Sequence, residues 1–128
     1  MQESLWRVAR GLIEKAGGHD MSHVRRVYGI AMRLADSFEE CNREILSAAV
    51  ILHDIARFDE DNDPEGRIDH ASLGAERAAV ILSELGWADS DTAWVADCIR
   101  THRYRNNAEP ESLEARLLFD ADKLDSLG

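Results

Sequence analysis

The sequence predicts an all-α bundle of about six helices, and three observations predict it. Apolar residues recur with the helical period nearly everywhere along the 128 residues. No stretch sustains the apolar–polar alternation of a strand between turn signals. The chain is one domain's worth of residues, with no internal repeat, low-complexity tract or linker to divide it, and long enough to bury roughly two-thirds of the surface its unfolded form exposes.

The first helix runs to about Ala16 and sets Leu5, Val8, Leu12 and Ile13 among Glu3, Arg7, Arg10, Glu14 and Lys15. That is an amphipathic helix, not the apolar core of a signal peptide. It stops at Gly17-Gly18, a C-terminal glycine signal. The second starts near Asp20, an N-cap residue type, and the stripe His23, Val27, Ile30, Leu34 marks its expected buried face. The third, Asn42 to Ala56, is apolar almost all round and is expected at the centre of the bundle. Residues Arg57 to Arg67 then read as the one long loop, polar and acidic, a natural lid or rim.

The fourth helix is expected from about His70, after Asp69, to Gly86, with Leu73, Ile81, Leu82 and Leu85 among its apolar positions. The fifth runs from about Asp91 to His102, where Val95, Cys98, Ile99 and His102 share a face. A second loop, Arg103 to Glu109, is basic at its start. The last helix begins around Pro110 and carries Leu113, Leu117, Leu118 and Leu124 toward Gly128.

Composition excludes several functions. A net charge of −10 argues against wrapping a nucleic-acid polymer, which needs a basic face. No segment reaches the roughly 18 uninterrupted apolar residues of a membrane span. Cys41 and Cys98 lack Cys-x-x-Cys spacing, so a zinc ribbon or thioredoxin motif is excluded, and both read as reduced thiols of a cytosolic protein.

The chemistry gathers around His53-Asp54, at the end of the apolar run from Ile45 to Leu52. Two such groups on a buried helix are costly to desolvate unless a cation or dense hydrogen bonding satisfies them. A carboxylate at a helix C-terminus also opposes the negative end of the dipole, so something positive should neutralise Asp54. The chain has five histidines, His19, His23, His53, His70 and His102, all near predicted helix ends, and an acidic segment from Asp120 to Asp125. Imidazole and carboxylate together suit a divalent transition metal (Mn, Fe, Co, Ni or Zn) over Mg or Ca. Set against this, a lone histidine on an apolar face is usually a core residue with one hydrogen bond. Helical geometry alone does not choose between Asp120 and Asp122.

Read together, Gly18-His19-Asp20-Met21-Ser22-His23-Val24-Arg25-Arg26-Val27, Leu52-His53-Asp54-Ile55 and Asp120-Ala121-Asp122-Lys123-Leu124-Asp125 resemble the HD superfamily of metal-dependent phosphohydrolases, an all-α fold named for its His-Asp doublet. The opening and closing motifs are similar to small bacterial and archaeal members, some of which act on nucleotides. The resemblance covers essentially the whole chain and implies a single HD domain over 1–128. Relatives commonly continue with further helices that wall the pocket, so 1–128 is expected to be either a minimal member or a fragment.

The resemblance implies that His23, His53, Asp54 and Asp122 hold one metal ion, with His70 and His102 at positions that ligate a second in two-metal members and Asp54 bridging. It favours Asp122 as the ligand and leaves Asp120 to orient a ligand histidine. His19 is expected to cap its helix or line the rim. Arg57 stands where many relatives carry lysine. Arg103 follows His102 where the cyclic dinucleotide phosphodiesterases have a second histidine, and their Gly-Tyr-Pro signature is absent, which argues against that subgroup.

The implied reaction is hydrolysis of a phosphate ester or anhydride in a small metabolite, nucleotides ahead of sugar phosphates, with one or two ions. The metal acts as Lewis acid and makes hydroxide available near neutral pH. Asp54 and His70 are the expected catalytic groups beside it. Most surface arginines are merely solvated, yet of the cations near the ligands, Arg26, Arg57, Arg103, Arg105 and Lys123, Arg57 and Lys123 lead as clamps on phosphoryl oxygens. Phe58, Tyr104 or Trp94 would stack a base, or simply pack. No membrane partner is expected, and a homodimer is left open. Two rivals stand: an HD-fold di-iron oxygenase on the same six ligands, and a non-catalytic sensor or scaffold, which predicts missing ligands where none is missing.

Overall fold

The computed structural model describes residues 2–14, 21–103 and 109–127, and among these it holds seven helices and no strand. They are α1 (Gln2–Glu14), α2 (Ser22–Ala35), α3 (Arg43–Leu52), α4 (Arg57–Asp61), α5 (His70–Glu84), α6 (Asp89–Arg100) and α7 (Leu113–Leu127). The expected Gly17-Gly18 stop, the Asp20 cap, His19, Tyr104 and Arg105 lie outside the described residues. No helix among those described is long and apolar enough to cross a membrane.

α3 is the central helix, as its apolar sequence implies. Every residue from Ile45 to Leu52 is buried, and α1, α2, α6 and α7 all pack against it. Asn42 caps its start, accepting from Ile45 N at 3.1 Å. The Asn42 backbone N–H is in turn taken by the buried Glu114 at 2.7 Å, which ties the start of α7 to the start of α3.

α3 ends four residues earlier than its composition predicts. Beyond Leu52 the bonds shorten to His53 N→Val50 O and Ile55 N→Leu52 O, with Arg57 N→Asp54 O following. This tighter turn directs successive side chains differently from an α-helix. The region expected as one loop then forms the short α4. Its five residues carry one apolar side chain, Phe58, so no period announces it; local bonds close it, with Asn62 N and Nδ2 both donating to Phe58 O.

The buried face of α2 is Val24, Val27, Ala31 and Ala35, not the stripe through His23, Ile30 and Leu34, which are half-buried. α2 is held between α3 and α7, and the small Ala31 and Ala35 let it approach closely. His23 therefore lies at the margin of the core, turned toward α7.

At the other side of the centre, Asp69 caps α5 by accepting from Ser72 N. Gly86 ends that segment with φ 89° and the bonds Trp87 N→Leu82 O and Gly86 N→Ser83 O, a left-handed stop that glycine adopts without penalty. The last helix starts at Leu113 rather than Pro110, because the Ser112 hydroxyl accepts from Ala115 N at 3.0 Å.

The two cysteines differ in reactivity. Burial pushes the Cys98 thiol up to about 12, whereas Cys41 is half-buried and raised less far from the ordinary range by its own burial. Since the thiolate is the nucleophile, iodoacetamide at pH 8 should label Cys41 well before Cys98 in the folded protein and both alike in denaturant. Equal native labelling, read by mass spectrometry, would contradict the burial of Cys98.

Candidate metal centre

Helix ends bring the histidines together. His53 closes α3 with a fully buried ring whose Nδ1 donates to Val50 O at 2.6 Å. Its Nε2 on the far side of the ring faces Asp122, and among the described residues it is buried with no hydrogen-bond partner. Asp54 follows, and its Oδ1 is likewise buried and unbonded. Arg57 Nη2 is 3.4 Å away and His70 Nε2 3.6 Å away. Burial works to raise the Asp54 carboxyl, but His53, Arg57, His70 and His23 outweigh it and hold the group below the usual carboxylate range.

α2 and α7 supply the opposite wall. His23 Nε2 lies 2.9 Å from Asp122 Oδ1, and the same oxygen is 3.6 Å from His53 Nε2. His23 Nδ1 donates to Asp125 Oδ2 at 2.7 Å. Arg26 holds Asp125 in turn, through Nε at 2.7 Å and Nη2 at 3.2 Å. The bond to Asp122 lifts the His23 imidazole to about 9 against its burial, and Asp125 adds to the rise. Burial works to raise the Asp122 carboxyl, but the bond to His23 and the nearby His53 imidazole outweigh it and hold the group far below the usual range.

His70 opens α5 and His102 follows α6. Both rings are buried, with Nε2 to Nε2 at 3.2 Å. His102 Nδ1 donates to Ile99 O, and burial, reinforced by His53, pushes its pKa down to about 3. His70 Nδ1 is 3.2 Å from Glu60 Oε1 and 2.8 Å from Arg103 Nη1. Ring centroids step from His23 to His53 at 5.5 Å, His53 to His102 at 5.1 Å and His102 to His70 at 5.1 Å.

Of the six predicted ligands, from five segments of chain, His23, Asp54, His102 and Asp122 line one cleft of about 670 Å³, and the fully buried rings of His53 and His70 lie behind its wall. The donor atoms of His23, His53 and Asp122 all lie within 4.8 Å of one another. The orphaned His53 Nε2, an acceptor while Nδ1 carries the proton, faces the Asp122 oxygen at 3.6 Å, two acceptors that a cation between them would satisfy; Asp54 stands outside this grouping, its orphaned Oδ1 turned to Arg57 and His70. Mixed nitrogen and oxygen donors fit a divalent transition metal. Arg57 and Lys123, expected near the ligands, line the same cleft with Phe58.

Other expectations change. Asp120 is exposed on α7, and the orienting role read for it falls to Asp125. The signal was there: Asp125 follows Asp122, and Arg26 follows His23, by the three residues that share a helix face. Glu60, in the unexpected α4, was also missed, as was Phe119, which lines the cleft under the Lys123 ammonium at 5.3 Å. Trp94 lines a separate cleft with Asp97 and Thr101, so it does not stack a ligand here.

A family model described as HD domain matches residues 21–127. A crystal structure of a predicted HD superfamily hydrolase from an uncultured Thermotogales bacterium superposes with a TM-score of 0.82 at 34% identity, covering 97% of this chain and 67% of that one. The 3'-5' exoribonuclease YhaM of Listeria welshimeri is 28% identical over 116 residues, covering 81% of this chain. A tRNA (cytidine(56)-2'-O)-methyltransferase of Picrophilus torridus is 43% identical over 63 residues, or 49% of this chain. The chain spans only 37% and 17% of the length of these two curated relatives.

Proposed function

Because the chain belongs to the HD domain family, we propose that it is a metal-dependent phosphohydrolase acting on a small phosphorylated metabolite, a nucleotide first among them. The observation that carries this reading is the pair of buried, unbonded atoms His53 Nε2 and Asp54 Oδ1 beside a cleft lined by Arg57, Arg103 and Lys123. His23, His53, Asp54 and Asp122 hold the ion. When bound, the ion supplies Lewis acidity toward a phosphoryl oxygen and the attacking water.

The chain's own groups do the rest. Arg57 and Lys123 clamp non-bridging phosphoryl oxygens, and the Arg57 Nε, buried without a partner, has a donor to give. Asp54, which lines the cleft, and His70, 3.6 Å behind it, are the pair assigned to proton transfer. Asp125 keeps the His23 ring oriented. Phe58 and Phe119 offer apolar walls to a base. The names of the two curated relatives both refer to RNA, which supports a nucleotide over a sugar phosphate; the charge of −10 supports a small substrate over a polymer.

The test is metal analysis of protein purified without chelator, then release of phosphate or pyrophosphate from nucleoside mono-, di- and triphosphates and an aryl phosphate with Mn, Co, Ni or Fe. Turnover should vanish with chelator. Arg57→Ala and Lys123→Ala should each lower kcat/KM by about 10- to 100-fold, the value of a charge-assisted hydrogen bond, with the bound metal unchanged. No turnover on any of these substrates sinks the hydrolase reading in favour of a scaffold. Iron-loaded protein that consumes O2 instead sinks it in favour of the oxygenase.

A further inference from the structure

His70 and His102 face each other with two Nε2 atoms 3.2 Å apart, and their other partners assign which one carries the proton. A backbone carbonyl only accepts, so His102 Nδ1, bonded to Ile99 O, holds its proton there. A second proton would leave a buried imidazolium, so His102 Nε2 is an acceptor. The contact then needs a proton on His70 Nε2. The far side of the His70 ring agrees: Nδ1 lies closer to Arg103 Nη1, at 2.8 Å, than to Glu60 Oε1, at 3.2 Å, and a guanidinium only donates. The bonds run in one direction, from Arg103 to His70 to His102.

A second observation concerns charge. Glu60, Asp69 and His70 offer three ligand atoms within 4.8 Å of one another, a grouping able to hold a cation. One atom already meets all three. Arg103 Nη1 contacts Glu60 Oε1 closely, Asp69 Oδ1 at 3.3 Å and His70 Nδ1 at 2.8 Å.

We propose that Arg103 restricts the centre to a single metal ion: its guanidinium serves as the fixed second cation and holds His70 as an Nε2–H donor to His102, so that neither ring offers a free lone pair to a second ion. Arg103 is thus a positioning residue that acts through His70. His23 and His53 are not fixed in this way: their Nδ1 atoms donate to Asp125 and Val50, so a metal ion beside Asp122 would meet each Nε2 and need only displace the proton that His23 shares with that carboxylate. The inference rests on the metal-centre reading above, and the experiment separates the two.

Titrate wild type and Arg103→Met with Mn or Co, counting ions per chain by elemental analysis and calorimetry. Wild type should saturate at one ion. Arg103→Met should bind a second, with an affinity about 10- to 100-fold above any second binding by wild type, the usual effect of changing a group behind a ligand. Two ions of similar affinity on wild type, or one ion on both proteins, overturns the inference while leaving the centre intact; no ion on wild type overturns the centre itself. Should Arg103→Met fail to fold, two-bond 15N–1H correlation spectra of metal-free wild type still decide. His70 with its proton on Nε2 supports the relay, and a proton on Nδ1 overturns it.

Discussion

Asp54→Ala should leave the chain without its metal ion. Asp54 is the carboxylate of the turn that ends α3, 12% exposed at its side chain, and its removal takes one of four donors and the negative charge facing Arg57. An ion left with His23, His53 and Asp122 would also have an unopposed guanidinium 3.4 Å from the lost oxygen. Metal per chain after gel filtration should fall from about one to near zero, and turnover with it. Thermal scans separate this from misfolding. A ligand that binds only the folded state raises stability by about 2.7 kcal/mol at a hundredfold excess over its Kd, so Mn or Co should raise the wild-type Tm and leave the variant where it is. A variant that keeps its full complement of metal shows that the ion is held elsewhere.

Leu118→Ala should cost the fold the most among single truncations near the site. Leu118 is fully buried, on the face of α7 that meets α2, α3 and α6. Truncating a leucine there loses both the transfer free energy and the packing around the cavity, about 2–5 kcal/mol, or a fall in Tm of about 10 °C or more for a chain of this size. Asp122 stands one turn further along the same helix, so metal affinity should weaken too. Leu127→Ala, on the same helix but 79% exposed, should change stability by no more than about 0.5 kcal/mol. A Leu118→Ala loss as small as that of Leu127→Ala refutes the packing described for α7.

The long helices were legible because each buries a face, and burial writes a period into sequence. α4 was not, since it is held by a few hydrogen bonds and one phenylalanine. The α2 stripe was misread for a related reason: counting His23 among its apolar positions rotated the expected face away from Val24 and Ala31. For the centre, the His-Asp doublet was conspicuous as polar groups closing an apolar helix. Asp122 against Asp120 was not a matter of pattern, because each follows a leucine at a helical spacing, and only the packing of α7 on α2 turns one inward and the other to solvent. The Arg103–His70 contact joins residues 33 apart in sequence from different helix ends, and no local pattern encodes which nitrogen of a ring carries a proton.

The contact between His23 and Asp125 spans 102 residues, with the other candidate ligands falling between them. Among the described contacts around the centre it closes the longest loop, so it carries the largest closure entropy. During synthesis the doublet of α3 emerges well before α7, and a nascent chain holds the first ligands without the acid that completes them. On the metal-centre reading, metal capture would report assembly: a chain that has docked α7 presents Asp122 beside His23 and His53, and one that has not lacks that acid.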